Sequence, residues 1–216
     1  MASHSQAQTT NALLNKTDSV SYVIGTSITK NFKESDATIN YQKLIQGIND
    51  ALGGKEILIS DTDKTHLMQS FQAEMSVKAQ LKSQLAAQDN IAKGQDFLAK
   101  NKKNAGVVEL PSGLQYKVIK EGTGAKAKLT DKISVHYTGS FITGEKFDSS
   151  VDRKEPLVIE LGNLIKGWQE GIQLMAPGAK YMFYIPYNLG YGSQTKGPIP
   201  GGSALVFEVE LLEIVK

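Results

Sequence analysis

No proline interrupts residues 18 to 105, whereas beyond Gly106 glycine becomes frequent and the apolar pattern changes period. Proline removes a backbone donor and clashes with the preceding helical turn, so a stretch of this length without it is free to be helical throughout. Its apolar residues fall at helical spacing: Val20, Ile24, Ile28 and Phe32 make one stripe, and Leu44, Ile48 and Leu52 another. Gly53-Gly54 supplies a stop after the second stripe. Ser60 followed by Asp63 has the form of a capping box, and from there good helix formers run to about Asn104. A helix of about 40 residues is ~60 Å long, longer than a small domain is wide. Leu67, Phe71 and Met75 continue a stripe on its first part. Gln84 to Lys103 carries few large apolar residues, Ile91, Phe97 and Leu98 among them, and reads as a solvated connecting rod.

Three helices with one-sided stripes cannot cover one another's apolar faces within this stretch. A second copy of the chain is the simplest cover, which predicts a homodimer through residues 18–80; a monomeric helical hairpin with a loose third helix is the alternative. After Gly106 the period becomes two, and Leu114 to Glu121, Lys132 to Ile142, Leu157 to Leu161, Lys180 to Ile185 and Ala204 to Val215 read as strands. One short helix fits Ile165 to Met175, ahead of Pro177-Gly178. Strands enclosing a single helix make an α+β domain with an antiparallel sheet. The expected organisation is a flexible polar segment 1–17, a helical dimerisation region 18–60, a long connecting helix 61–104 and a second domain 105–216.

Several chemistries are set aside by residue type. The 24 basic and 22 acidic residues are interspersed, so no basic stripe points to nucleic acid. Cysteine is absent, which removes disulfides, thiolate metal sites and cysteine nucleophiles together. No apolar run reaches the ~18 residues of a membrane span, and no charged segment followed by an apolar one opens the chain. The three histidines, His4, His66 and His136, are far apart and on different kinds of element, so neither a metal site nor a nucleophile–base relay is expected, and no cofactor. His136 beside Tyr137 is read as structural. Gly122, Gly124 and the other glycines follow no phosphate-loop spacing and are read as turns. What the second half concentrates is aromatic and branched aliphatic surface. Phe147, Ile165, Trp168 and Tyr191 stand next to turns or a helix start, where an apolar cleft with one or two polar groups is able to open.

The segments Val135-His136-Tyr137-Thr138-Gly139, Gly144-Glu145-Lys146-Phe147-Asp148-Ser149-Ser150, Ile165-Lys166-Gly167-Trp168, Leu189-Gly190-Tyr191-Gly192 and Leu205-Val206-Phe207-Glu208-Val209-Glu210-Leu211 resemble, in order and spacing, the motifs of the FK506-binding-protein (FKBP) peptidyl-prolyl cis/trans isomerases. The helical part is similar to the dimerisation domain of the macrophage infectivity potentiator (Mip) subfamily through Ser21-Tyr22-Val23-Ile24-Gly25, Lys30-Asn31-Phe32-Lys33 and the joining segment Leu110-Pro111-Ser112-Gly113-Leu114-Gln115-Tyr116-Lys117. The resemblance implies an FKBP-like antiparallel sheet wrapped around one short helix. It implies a pocket with Trp168 as floor and Tyr137, Phe147, Ile165 and Phe207 as walls, with Leu164 along one side. The Ile165 N–H and the Tyr191 hydroxyl would hold the carbonyls of a bound peptide or macrolide, Asp148 would be the pocket carboxylate paired with Arg153, and Ile199 with its neighbours would form a flap. Two departures from the family pattern stand out: Leu157 occupies a position where many members have a pocket aromatic, and the loop Gly162-Asn163-Leu164 is one residue shorter.

The activity so implied is acceleration of X-Pro rotation in unfolded or partly folded proteins, inhibited by macrolides such as rapamycin, without cofactor or metal. A dimeric holdase chaperone and a ligand-binding module without turnover are the alternatives; the intact set of Tyr137, Asp148, Trp168, Tyr191 and Phe207 speaks against the last. The resemblance points to the bacterial periplasm or envelope, with a cytoplasmic location as the alternative.

Overall fold

Asn15 and Asn40 start the first two helices by the same device. The structure, a computed structural model, describes residues 13–215, so most of the segment 1–17, His4 included, lies outside the described residues. The Asn15 side chain accepts the Asp18 N–H at 2.9 Å and opens α1 (Lys16–Glu34); that of Asn40 accepts the Lys43 N–H at 3.2 Å and opens α2 (Tyr41–Leu52). Such caps satisfy donors that no helical carbonyl reaches. Gly53 closes α2, and Gly54 follows at φ +62°, a conformation that a side chain would strain. Ser60 Oγ accepts the Asp63 N–H at 3.1 Å and donates to Asp63 Oδ2 at 2.7 Å, so the expected capping pair starts α3 (Asp61–Asn101). The 41 residues of α3 match the expected overlong helix.

The chain divides after Gln80 into two compact units. In the first, no residue of α1 or α2 is buried, and Val23, Ile24 and Ile45 stand more than half exposed. In the second, the last part of α3 differs from the solvated rod expected of it. Ala87, Gly94 and Asn101 are buried along one face, and the Phe97 ring lies 6.1 Å from that of Tyr184. Small residues made this face hard to see: close backbone approach, rather than a stripe of large side chains, buries it. At its end Asn101 Nδ2 donates to Gln115 Oε1 and Gln115 Nε2 donates to the Leu98 carbonyl, both at 2.9 Å, so a buried amide pair ties the helix terminus to the sheet.

The sheet is antiparallel throughout. Its strands are β1 (Val107–Glu109), β2 (Gln115–Lys120), β3 (Lys132–Phe141), β4 (Lys146–Ser149), β5 (Leu157–Glu160), β6 (Lys180–Ile185) and β7 (Leu205–Val215), in the order β1-β2-β6-β7-β3-β4, with β5 also on β3. β4 and β5 therefore share one edge of β3, separated by the one-turn helix α4 (Ser150–Arg153). The period-two reading anticipated five of these strands; the three-residue β1 and four-residue β4 are too short to show a period. α5 (Lys166–Ile172), inside the range expected, packs on the sheet. Ile133, Val135, Ile172, Phe183, Ile185, Val209 and Leu211 are wholly buried between them.

α5 comes so close because glycine faces the sheet. A Cβ on Gly167 would fall 2.6 Å from Ile185 Cγ2, and one on Gly171 2.5 Å from Phe183 Cε1. Phe183 is fully buried and has nowhere to move. Gly171→Ala is therefore expected to destabilise the chain by about 1–3 kcal/mol from overpacking, despite a helix-propensity gain of about 1 kcal/mol. Urea unfolding of the full chain checks this, and an unchanged or raised midpoint would refute the close contact.

Candidate active site

β3 and β7 pair so that Tyr137 stands opposite Val209 and Gly139 opposite Phe207, which turns Tyr137 and Phe207 to the face covered by α5. From α5 the Trp168 indole enters between them. Its ring lies 5.2 Å from that of Tyr137 at 81° and 5.2 Å from that of Phe207 at 88°, while Phe147 stands 5.6 Å from Phe207 at 85°. Edge-to-face packing sets the electropositive rim of one ring against the electron-rich face of the next. Space for it exists because residue 139 lacks a side chain: a Cβ there would lie 2.7 Å from both Phe147 and Phe207. The Trp168 Nε1–H is buried without a hydrogen-bond acceptor among the described residues, in surroundings of near-perpendicular rings.

All the apolar residues expected at the site meet in one cluster. Tyr137, Trp168, Phe207 and Ile199 are buried, and Phe147, Leu157, Leu164, Ile165 and Tyr191 are partly exposed against them. Leu157, at the start of β5, faces Val135 of β3. The short loop at Gly162-Asn163-Leu164 folds as a 3-10 turn and is pinned by Gln169, whose Nε2 donates to the carbonyls of Gly162 and Leu164 at 2.8 Å each. That turn leads into Ile165, the N-cap of α5. Its carbonyl accepts from Trp168 and Gln169 at 2.9 and 3.0 Å, whereas its own N–H has no acceptor among the described residues.

One polar group faces this apolar wall. Tyr137 Oη donates to Asp148 Oδ2 at 2.5 Å and accepts from Arg153 Nη2 at 3.0 Å, and Arg153 Nη1 reaches the other carboxylate oxygen. The guanidinium carbon also sits 5.8 Å from the centre of the Tyr137 ring. Local sequence sets this up: Ser149 caps α4 by accepting the Asp152 N–H, and the single turn carries Arg153 back to Asp148. Burial pushes the Tyr137 hydroxyl above its ordinary range, and the hydrogen bond to Asp148 adds to this. Burial by itself would raise the Asp148 carboxyl too. The hydrogen bonds from Tyr137 and Arg153 and the guanidinium charge outweigh it and hold the carboxyl below the usual range. Burial also raises the Tyr191 hydroxyl, with the Asp148 charge as the second cause.

Further residues buttress the ring cluster from behind. Ser150 Oγ accepts the Tyr137 N–H at 2.8 Å and lies 3.0 Å from His136 Nδ1, which gives His136 the structural place expected of it. The Phe141 ring lies 5.0 Å from that of Phe147, tilted by 48°, and Lys196 Nζ sits 5.4 Å from the centre of the Tyr191 ring. Nothing in the spacing of Phe141 or Lys196 separates them from ordinary core and loop residues. Other aromatics lie elsewhere: Tyr181 stacks on Tyr116 at 5.8 Å.

Comparison with known proteins gives matches along most of the chain. Residues 123–212 match the family of FKBP-type peptidyl-prolyl cis-trans isomerases, and residues 17–118 match the domain amino-terminal to FKBP-type peptidyl-prolyl isomerase. The chain is 46% identical over 173 residues to the FKBP-type peptidyl-prolyl cis-trans isomerase FkpA of Aeromonas hydrophila, covering 80% of this chain and 64% of that protein's length. It is 36% identical over 200 residues to the outer membrane protein MIP of Legionella longbeachae, covering 92% of this chain and 86% of that protein. The crystal structure of FkpA from Escherichia coli superposes with a TM-score of 0.78 at 35% identity, covering 94% of this chain and 98% of the other. With identity of this order sustained over most of both chains, and matches to both halves of the sequence, the chain belongs to the FKBP-type peptidyl-prolyl cis-trans isomerases.

Proposed function

We propose that the chain accelerates X-Pro rotation in protein substrates by receiving the prolyl ring on Trp168, between Tyr137, Phe147, Ile165 and Phe207. The observation that carries this is the pair of open donors beside an apolar basin: the Ile165 N–H and the Tyr191 hydroxyl both lack acceptors among the described residues. The X-Pro amide rotates over a barrier of ~18–20 kcal/mol, so uncatalysed exchange takes ~10–100 s. At the twisted transition state conjugation is lost and the amide is less dipolar. A dry aromatic basin opposes that state less than it opposes the planar ground state, and the two donors orient the flanking carbonyls. Differential binding of this kind needs no proton transfer, and each tenfold acceleration takes only ~1.4 kcal/mol.

Asp148 acts in this scheme by position and charge rather than as a base. Its carboxylate is already committed to Tyr137 and Arg153, and it braces the Tyr137 wall. Side chains of Arg153 and Asp148 are 52% and 41% exposed, so solvent screens the pair and its contribution is geometric more than energetic. Leu164 and Leu157 line the rim, and Ile199 closes the side by Tyr191. Macrolides such as rapamycin would occupy the same basin.

A homodimer formed through residues 18–80 completes the proposal, with 61–104 as connecting helix and 105–216 as isomerase domain. It is supported by the absence of any buried residue in α1 and α2 and by an apolar groove of about 780 Å³ lined by Ile28, Leu44, Ile45 and Ile48. Helices this exposed are marginal alone, so a partner's helices are the natural cover. Such an assembly would hold non-native clients as a chaperone beside its isomerase activity. No helix among the described residues is long and apolar enough to cross a membrane. The Legionella relative's description as an outer membrane protein supports an envelope location for this chain.

The direct test is cis-to-trans exchange of a short X-Pro peptide. Catalysis blocked by rapamycin is expected, with Tyr191→Phe lowering kcat/KM about two- to tenfold for one lost hydrogen bond; exchange no faster than buffer, from folded protein, would refute the reading. Protonation gives a second check. Because the Asp148 carboxyl titrates below its unfolded value of about 3.9, its contribution is complete above that value and is lost only as pH falls through the lower folded one. The rate is therefore expected to stay flat from neutral pH to about pH 5, whereas a decline centred near pH 6.5 would shift attention to a histidine. Ile45→Asp should yield monomers by sedimentation, keep turnover of short peptides and lose protection of a proline-free aggregating client; dimers that persist would place the interface elsewhere.

A further inference from the structure

The connection from β6 to β7 carries two of the proposed pocket residues, Tyr191 and Ile199, and its own hydrogen bonds mostly close it on itself. Gly192 N–H donates to the Tyr187 carbonyl at 2.9 Å, Gly202 N–H to the Gly192 carbonyl at 2.9 Å, and Lys196 and Ile199 exchange bonds of 2.9 and 3.1 Å. These make one folded piece, with Gly202 bonded directly to the residue after Tyr191. Where that piece sits is decided by what supports it from outside.

The last part of α3 supplies that support. Asn90 Nδ2 donates to the Gly201 carbonyl at 2.9 Å, a side-chain hydrogen bond between α3 and this connection. On the same helix face a Cβ on Gly94 would fall 2.8 Å from Ala204 Cβ. On the other side of the contact, a Cβ on Gly202 (φ +75°) would fall 2.2 Å from the Ala87 carbonyl oxygen. The two backbones thus meet closely, with the Ile91 side chain also against Gly202, and Ala87, Gly94, Gly201 and Gly202 are all buried. Contact of this kind fixes separation. The Asn90 amide fixes sliding along the helix, because it bonds one particular carbonyl.

We infer that Asn90 is a positioning residue of the isomerase site, setting the location of Tyr191 through Gly201, Gly202 and Gly192. This rests on the role proposed above for the Tyr191 hydroxyl. Among the described residues that hydroxyl has no hydrogen-bond partner, so its place follows the backbone of the connection. Releasing Gly201 lets the connection slide and weakens the hold on a substrate carbonyl. The effect falls on binding, since the apolar basin of Trp168, Tyr137 and Phe207 is built from other elements.

The test is a double-mutant cycle in the full chain, with KM and kcat measured on a short X-Pro peptide and rapamycin affinity read from the fluorescence of Trp168, the chain's one tryptophan. Asn90→Ala is expected to raise KM and weaken the macrolide about three- to tenfold with kcat little changed, while Gln88→Ala, exposed on the same helix, changes neither. In a Tyr191→Phe background the Asn90→Ala effect should shrink to within about twofold, because both substitutions remove the same interaction. Independent multiplication of the two effects would overturn the inference. So would a lowered thermal midpoint with KM unchanged, the mark of a merely structural contact. If Tyr191→Phe alone has no effect, the pocket role of Tyr191 falls and this inference with it. A normal loss from Tyr191→Phe beside a silent Asn90→Ala sinks only the inference. Should Asn90→Ala fail to fold, Asn90→Gln, which keeps the donor at a longer reach, carries the same cycle with the same sign.

Discussion

Everything at the site depends on how closely α5 approaches the sheet. Gly167 and Gly171 face Ile185 and Phe183 at distances that exclude a Cβ, and this lowers the Trp168 indole between Tyr137 and Phe207. With larger residues on that helix face the indole would stand off the sheet and its perpendicular contacts with both rings would open. Gly139 makes the matching concession on β3, where the missing side chain leaves room for Phe147 and Phe207. The basin is thus defined from two sides by absent atoms. Interiors are packed too tightly for its shape to be held any other way.

A basin of rings is soft in one respect, since aromatic contacts fix distances better than they fix rotation about the strand. The polar group supplies what they lack. Tyr137 belongs to the aromatic cluster through its ring and to the Asp148–Arg153 pair through its hydroxyl, so one residue couples apolar packing to directional hydrogen bonds. Its amide is held as well, by Ser150. A buried phenol with a carboxylate acceptor and a guanidinium donor has its needs met, which offsets the cost of desolvating a polar group beside an apolar site.

What was legible in the sequence follows the physics of each signal. Long helices were visible because a stripe or a missing proline persists over many residues, and β3, β6 and β7 because alternation lasts long enough to be counted. β1 and β4 were not, being three and four residues long. The proposed apolar site residues came from the family resemblance, and no periodicity would have singled out Tyr191 or Ile199. Small residues carry the weakest signal of all. The face of α3 through Ala87, Asn90 and Gly94 reads as a solvated surface by composition, yet it is buried by backbone contact.

That misreading has a general cause. Hydropathy patterns register the side chain that a residue brings to an interface, whereas glycine and alanine bury the backbone of the opposite element. Here the same device recurs at α5 against β6, at β3 beneath two rings and at α3 against Gly202. In each case a Cβ would come closer than 3 Å to its neighbour, so no side chain fits without a shift of the opposite element. A catalyst that moves no proton and forms no bond has only shape and a few fixed dipoles to work with. Its strictest sequence requirements then fall on positions where no side chain is allowed, as much as on the rings that those positions let in.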